Sequence, residues 1–278
     1  MDESTIQARG LEFPALVGGP DDGALIVMLH GLPRNRWEWH HQVPVLAAMG
    51  FRVVAPDLRG FSAGARPEGI ESYHVDEYVA DTLAIADAVA GEERPFHLMG
   101  TSIGASMAWV LAAQYPERVS SLVCINIPHP GALAAASAGR ERGPDDQRER
   151  FSYIREARKE GNERAMFEAM LSAQGVEPAE SEPYRRALDD DDVLRTVFHY
   201  YRALPLWSRE PVPPVSMPTT FIWPTGSDNV APAAIDALPD WVTGPYTLHV
   251  VADVHQPVLQ AAPDVMNDFL VAHLEQHA

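Results

Sequence analysis

A five-residue segment, Gly100-Thr101-Ser102-Ile103-Gly104, fits the pattern G-x-S-x-G and most constrains how this chain can fold. An apolar run typical of a short buried strand precedes it at 95–99, and residues 105–114 carry apolar side chains at helical spacing. A sharp turn must therefore join the strand to the helix. Such a turn strains the backbone of its serine, and glycines two residues to either side let the strand and helix approach closely. The segment predicts Ser102 as a nucleophile.

The composition predicts a folded domain and disfavours polyanionic partners. With 278 residues and 46% hydrophobic content, the chain can bury a sizeable core. Its formal net charge of -18 repels nucleic-acid phosphates and anionic lipid, so we expect neither nucleic-acid nor membrane binding. The single cysteine, Cys124, lies in an apolar run and is typical of a small core residue.

Neither a targeting segment nor a cofactor motif is recognisable. Residues 1–9 begin with acidic side chains and lack the apolar block of a secretory signal, so we expect a cytoplasmic protein. Two uncharged stretches, 95–116 and 119–139, are interrupted by glycine or proline and should not span a membrane. The spacings H-E-x-x-H and C-x-x-C do not occur, so we expect no metal and no cofactor. The oligomeric state, a homodimer included, stays open.

Apolar strands alternate with helical segments, which predicts an α/β fold with a mostly parallel central sheet flanked by helices. This alternation stops between residues 127 and 217, where the sequence becomes charged and helical, so we interpret that stretch as an inserted helical cap. The predicted core is 1–127 and 214–278, and the predicted cap is 128–213. Strands are predicted at 5–9, 11–17, 24–29, 52–55, 96–99, 122–127, 219–223 and 247–251, and helices at 39–49, 75–90, 105–114 and 263–274.

A serine hydroxyl needs a base to act as a nucleophile, and the base needs a carboxylate to orient it. Among eleven histidines, His255 is the best placed because it follows the predicted strand 247–251 in a loop. Asp228 follows the strand 219–223 and is the preferred acid over Asp253 and Asp57. The resulting order, serine, aspartate, histidine, is one of the three known chain orders of this triad.

Acyl transfer also requires donors for an oxyanion. The segment His30-Gly-Leu32-Pro follows the strand 24–29, and the N–H of Leu32 is a candidate donor. The N–H of Ile103, directly after the nucleophile, is the second candidate, because it lies at a helix start where the backbone carries partial positive charge.

With these residues in place, the chain resembles the α/β-hydrolases of the epoxide-hydrolase-like branch over nearly its whole length. The resemblance is carried by segments 30–44, 55–61, 128–130 and 199–203. It implies an α/β-hydrolase fold and places Tyr201 over the pocket, with Tyr153 as the partner tyrosine. His129 and Trp207 are further candidates for substrate binding.

The sequence departs from that branch at the elbow, where the branch carries an aspartate and this chain carries Ser102. An aspartate that attacks an alkyl carbon leaves a hydrolysable ester, whereas a serine would leave an ether. The departure therefore favours a hydrophobic small molecule that already has an acyl carbon, and predicts a carboxylic ester hydrolase working through an acyl-enzyme. Alternatives are a lactonase, a perhydrolase or a carbon–carbon bond hydrolase on the same triad, and a ligand-binding module without turnover.

Overall fold

The computed structural model describes residues 1–138, 146–173, 178–207, 211–254 and 257–277, and within these ranges the chain forms one eight-stranded sheet. The strands are β1 Asp2–Ala8, β2 Leu11–Gly18, β3 Leu25–Leu29, β4 Arg52–Pro56, β5 Phe96–Thr101, β6 Val119–Ile125, β7 Thr219–Pro224 and β8 Tyr246–Val251.

The strand order is β1-β2-β4-β3-β5-β6-β7-β8. β1 and β2 pair antiparallel, β2 is antiparallel to β4, and every pairing from β4 to β8 is parallel. The predicted α/β fold with a mostly parallel sheet is thereby confirmed. Since the carboxyl ends of parallel strands meet at one edge, the turns after β3, β5, β6 and β7 lie together there.

Helices cover both faces of this sheet, and each face packs on its own apolar cluster. The helices that flank the sheet are α1 Gln42–Ala48, α2 Val75–Ala90, α3 Ile103–Gln114, α11 Pro232–Asp236, α12 Val258–Ala261 and α13 Pro263–His277. Short 3-10 helices occupy Arg36–Trp39, Ala63–Ala65, Ile70–Tyr73, Pro116–Arg118, Leu204–Leu206 and Leu238–Trp241. Of the helices in the described residues, none is long and apolar enough to traverse a lipid bilayer.

Most of the described residues between β6 and β7 are helical, although 126–129 and 211–218 are not. This part of the chain contains α4 Pro130–Ser137, α5 Gln147–Arg150, α6 Tyr153–Ala157, α7 Glu163–Ala173, α8 Pro178–Ala187, α9 Asp191–Val197 and α10 His199–Ala203. We refer to this helical stretch, Pro130 to Leu206, as the insertion. Its treatment as a separate cap with boundaries at 128 and 213 stays an interpretation.

The prediction of one helix over 39–49 is wrong. The structure has a 3-10 helix at Arg36–Trp39, a break at His40 and His41, and then α1 from Gln42. Pro44 explains the break, because proline lacks an N–H and is accommodated only in the first turn of a helix. Asn35 starts the 3-10 helix by accepting a hydrogen bond from the Trp37 N–H at 3.0 Å.

A chain of buried polar side chains crosses one face of the sheet. The Ser121 hydroxyl lies 2.7 Å from His97 Nδ1 and 2.8 Å from His273 Nε2, and Thr220 Oγ1 lies 2.8 Å from His273 Nδ1. Burial lowers the pKa of His97 to about 4 and that of His273 to about 3. Both imidazoles are therefore neutral in the folded protein at neutral pH.

The turn between β5 and α3 is packed so tightly that it requires glycine. A Cβ added to Gly100 would lie 2.5 Å from the carbonyl oxygen of Gly104, and one added to Gly104 would lie 2.3 Å from the carbonyl oxygen of Leu29 in β3. Both neighbouring atoms are backbone carbonyl oxygens, one in α3 and one in β3, and neither can move without moving its helix or strand. The glycines that the elbow pattern predicts are thus explained by contact distance.

We expect Gly104→Ala to lower the free energy of unfolding by at least about 3 kcal/mol, because β3 and α3 must separate to admit the methyl group. The control is Gly10→Ala in the β1–β2 turn, where φ is +73° and no atom lies within 4 Å of the added Cβ. That change should cost about 1–2 kcal/mol for the backbone conformation alone. Urea unfolding followed by circular dichroism measures both, and equal losses would contradict the packing argument.

Candidate active site

Ser102 occupies the strained turn between β5 and α3. Its φ of +53° and ψ of -120° lie in a region that side-chain-bearing residues rarely adopt. The backbone around it is fixed, since its N–H donates to the Ile125 carbonyl at 3.2 Å and its carbonyl accepts from the Ala105 N–H at 3.0 Å. The hydroxyl makes no capping hydrogen bond to α3. The Ser102 hydroxyl is thus not used to cap α3.

Two cavities meet at this serine. The large chamber, about 910 Å³, lies under the insertion and is walled mostly by apolar and aromatic side chains. The small chamber, about 310 Å³, has a more polar wall. Ser102, Tyr153 and Tyr201 line both chambers. The nucleophile position therefore borders two compartments of unequal size and polarity.

The segments that carry the two predicted oxyanion donors both adjoin Ser102. A Cβ added to Gly31 would lie 2.8 Å from the Cβ of Ser102, so the turn after β3 touches the elbow directly. Leu32, the next residue, lines the small chamber, and Ile103 begins α3 and lines the large one. The positive end of the α3 dipole adds to the potential at this point.

A buried ion pair holds the turn after β3 in place. Glu38 Oε2 accepts a hydrogen bond from the Gly31 N–H at 2.7 Å, and its other oxygen pairs with Arg34. Both charged side chains are almost fully buried. In the sequence, Arg34 and Glu38 are spaced i,i+4 beside the polar Asn35 and Arg36, so nothing marked the pair as buried and the motif-based analysis missed it.

His30 belongs to the same anchor. Its Nε2 accepts from the Leu58 N–H at 2.9 Å, which assigns the proton to Nδ1, and Nδ1 donates to the Gly31 carbonyl at 2.9 Å. Burial lowers the pKa of His30 to about 3, so the ring is neutral and works as a fixed connector rather than as a base.

Tyr153 and Tyr201 form a pair above the nucleophile. Their ring centroids lie 6.0 Å apart at an interplanar angle of 87°. Burial raises the pKa of both phenols, so both stay protonated at neutral pH and can donate hydrogen bonds into the chambers. The tyrosine beside them, Tyr200, also lines the large chamber. The binding roles of Tyr201 and Tyr153 that the resemblance implies stay predictions.

Of the predicted acid and base, the structure describes Asp228 but not His255. Asp228 follows β7, is exposed, and lines the small chamber with Ser102. His255 lies outside the described residues. Its near neighbour Val254 accepts a hydrogen bond from the Gly226 N–H at 3.1 Å, which ties the loop after β8 to the loop that carries Asp228. The structure brings Ser102 and Asp228 to one chamber, and the role of His255 stays a prediction.

Asn126 is a site residue that the sequence analysis missed. It follows β6 with a φ of +71°, is fully buried, and lines the small chamber. Neither polar atom of its side-chain amide has a hydrogen-bond partner within the described ranges. Because a buried amide without partners is costly, Asn126 is a strong candidate for contacting a bound substrate or water.

Of the two remaining predicted binding residues, Trp207 lines a chamber and His129 does not. Trp207 lines the large chamber, and its indole N–H has no acceptor among the described residues. His129 is not among the residues that line either chamber. Its Nδ1 accepts from the Gly131 N–H at 3.0 Å, its Nε2 lies 3.1 Å from the Pro213 carbonyl, and its ring stacks on Trp241. We therefore replace the binding role of His129 by a structural one.

Comparison with known proteins shows the family and the fold. The α/β-hydrolase fold family matches residues 24–254. The AB hydrolase superfamily protein YfhM of Bacillus subtilis is 37% identical over 128 residues, 46% of this chain and 44% of that protein. Epoxide hydrolase B of Mycobacterium tuberculosis is 35% identical over 146 residues, 51% and 40% respectively, so the matches span less than half of these relatives. A Bacillus megaterium epoxide hydrolase structure with an inhibitor superposes with a TM-score of 0.83 at 22% identity, covering 98% of this chain and 100% of that one, which indicates a shared fold.

We expect Glu38→Ala to destabilise the protein by about 3–5 kcal/mol, because it removes the carboxylate that balances buried Arg34. The control is Glu182→Ala, which breaks an i,i+4 ion pair with Arg186 on the surface. The side chain of Glu182 is 57% exposed, and that of Arg186 is 79% exposed. That change should cost at most about 0.5 kcal/mol. Thermal and urea unfolding test the contrast, and similar losses for the two variants would refute the anchoring role of Glu38.

Proposed function

Because the chain belongs to the α/β-hydrolase fold family, we propose that it is a serine hydrolase that cleaves a carboxylic ester, or a related acyl bond, of a hydrophobic small molecule. The observation that carries this proposal is Ser102, a strained serine at the start of α3 that lines both chambers. A nucleophile at such a junction can receive the two substituents of an acyl carbon on opposite sides.

In the proposed reaction, the Ser102 hydroxyl gives its proton to His255 and attacks the acyl carbon, while the carboxylate of Asp228 orients the imidazole. The N–H groups of Leu32 and Ile103 stabilise the oxyanion. The tetrahedral intermediate collapses to an acyl-enzyme as His255 returns the proton to the leaving alcohol. Water activated by the same imidazole then releases the acid. The cycle requires no cofactor.

The unequal chambers suggest which substrates fit best. The large chamber offers about 910 Å³ bounded by side chains such as Val110, Leu133 and Trp207. The small chamber offers about 310 Å³ and contains the polar side chains of Arg34 and Asn126. We infer a substrate with one bulky apolar substituent and one small, more polar substituent on either side of the scissile bond.

Epoxide hydrolysis is the second candidate, favoured by the Tyr153–Tyr201 pair that lines both chambers and by the names of the relatives. Two protonated phenols beside a nucleophile can stabilise the oxygen of an opening ring. A serine oxygen that opens the ring would, however, leave an ether that water does not readily cleave. Turnover of an epoxide on this site would require direct attack by a water molecule, without a covalent intermediate.

We expect Ser102→Ala to lower kcat/KM for p-nitrophenyl butyrate by about 10⁴-fold or more, because the acyl-enzyme can no longer form. The matched control is Ser72→Ala, which removes an exposed hydroxyl bonded only to the Glu68 carbonyl among the described contacts. Both variants should keep the far-UV circular dichroism of the wild type. Ester hydrolysis that survives in Ser102→Ala would refute the proposal. Diol formation from styrene oxide that survives there would instead support the second candidate.

We expect Leu133→Trp to narrow the large chamber and to lower kcat/KM for long-chain esters at least about tenfold relative to short ones. The control is Leu206→Trp at a side chain that is 52% exposed and does not line a chamber. A panel of p-nitrophenyl and methyl esters, in which acyl and alcohol lengths vary separately, measures the effect. An equal loss for every ester would contradict the inferred division between the chambers.

A further inference from the structure

Two consecutive histidines and one distant glutamate bring metal-ligating atoms together outside the candidate active site. His40 and His41 lie between the 3-10 helix Arg36–Trp39 and α1, and Glu180 lies in α8 of the insertion. One ligand atom from each lies within 4.8 Å of the other two. We propose that His40, His41 and Glu180 bind a divalent transition-metal ion, with Zn²⁺ as the best match. The proposal stands whether or not the proposed function is correct.

The distance between two of the three ligand atoms suits a zinc ion. His40 Nε2 and Glu180 Oε2 are 3.6 Å apart. Ligands at about 2.0–2.1 Å from zinc in tetrahedral geometry lie about 3.4 Å from one another. A shift of a few tenths of an ångström would therefore let both atoms coordinate one ion. Two imidazoles and one carboxylate are a donor set that zinc uses in proteins, with a fourth position left for water.

His40 is already oriented for this role. Its Nδ1 donates to the Trp37 carbonyl at 2.7 Å, which leaves Nε2 as the lone-pair nitrogen facing Glu180. Its ring stacks on the Trp37 indole at 4.6 Å and 6°, and the His41 ring lies 3.8 Å away. A backbone carbonyl that holds the far nitrogen of an imidazole is the usual outer support of a metal-bound histidine.

The carboxylate of Glu180 has support of the same kind. Its Oε2 accepts from Gln260 Nε2 at 3.2 Å, and that nitrogen also lies 2.6 Å from the Tyr184 hydroxyl. The other amide atom, Gln260 Oε1, is buried and has no hydrogen-bond partner among the residues that the structure describes. A metal-bound water would give this oxygen a donor. The formal charge of -18 favours the approach of a cation from solution.

A bound ion would join two separate parts of the chain, and the hydrogen bond from Gln260 to Glu180 links a third part to them. His40 and His41 continue the segment that carries the oxyanion turn, Glu180 belongs to the insertion, and Gln260 lies in α12. Coordination would therefore fix α8 against the core. The metal acts here as a clamp on the insertion and takes no part in bond cleavage.

The test is Zn²⁺ binding to the full chain, measured by competition with a chromophoric chelator, and Co²⁺ binding followed by visible absorption. We expect one ion per chain, and we expect Glu180→Gln and His41→Gln each to weaken binding about tenfold or more. The matched control is His74→Gln, because His74 Nδ1 lies 3.2 Å from Asp76 Oδ2 in a histidine–carboxylate pair that forms no three-ligand group within the described ranges. The control should keep the wild-type affinity.

A second measurement distinguishes Zn²⁺ that fixes α8 against the core from Zn²⁺ that binds nonspecifically to the surface. Zn²⁺ should slow amide hydrogen exchange in a peptide that covers α8 in the wild type and in His74→Gln, and should have no effect in Glu180→Gln. Far-UV circular dichroism without metal checks that every variant is folded. The proposal is overturned if the wild type binds no stoichiometric Zn²⁺, if the control weakens binding as much as the ligand variants do, or if α8 exchange ignores the metal.

Discussion

The backbone of Ser102 is held where a side-chain-bearing residue pays a steric penalty of about 1–3 kcal/mol, and the site depends on that constraint. The strained conformation persists because the backbone around Ser102 is closely packed. Gly104 lies against β3, Gly100 lies against α3, and Gly31 lies against Ser102 itself. These contacts also fix where the oxyanion turn and the helix dipole lie. A change that relaxed the elbow would therefore displace the nucleophile and both of its candidate donors together.

Ser102 and the side chains around it favour different reactions: the serine favours cleavage of an acyl bond, and the tyrosines favour opening of an epoxide. Two tyrosines line both chambers, where the resemblance to the epoxide-hydrolase-like branch implies a tyrosine pair, whereas the serine nucleophile that we propose suits an acyl carbon better than the alkyl carbon of an epoxide. The scaffold supplies orientation, exclusion of water and hydrogen-bond donors that either reaction can use. Under the proposed function, the serine that follows β5 favours cleavage of an acyl bond.

The fold and the elbow were predictable because they depend on local signals. Strand and helix periodicity gave the sheet, α2 was predicted with its observed ends, and the glycine spacing located Ser102. Contacts between distant segments were not predictable. Asn126 has no recognisable motif, and the buried Arg34–Glu38 pair reads as a solvated helix pair in sequence alone. Glu180 meets His40 only through packing of the insertion, and spacing rules for metal ligands search within one or two adjacent elements.

Four imidazoles are kept neutral by burial, with the pKa values of His30 and His273 at about 3 and those of His97 and His129 at about 4. Unfolding would return them to their ordinary value near 6.5, so the unfolded chain binds more protons than the folded chain between these limits. The native state is thus favoured fully above about pH 6.5 and loses this advantage as acidity increases through that interval. Proton uptake by four histidines with no assigned role in bond cleavage makes the molecule thermodynamically suited to neutral and mildly alkaline water.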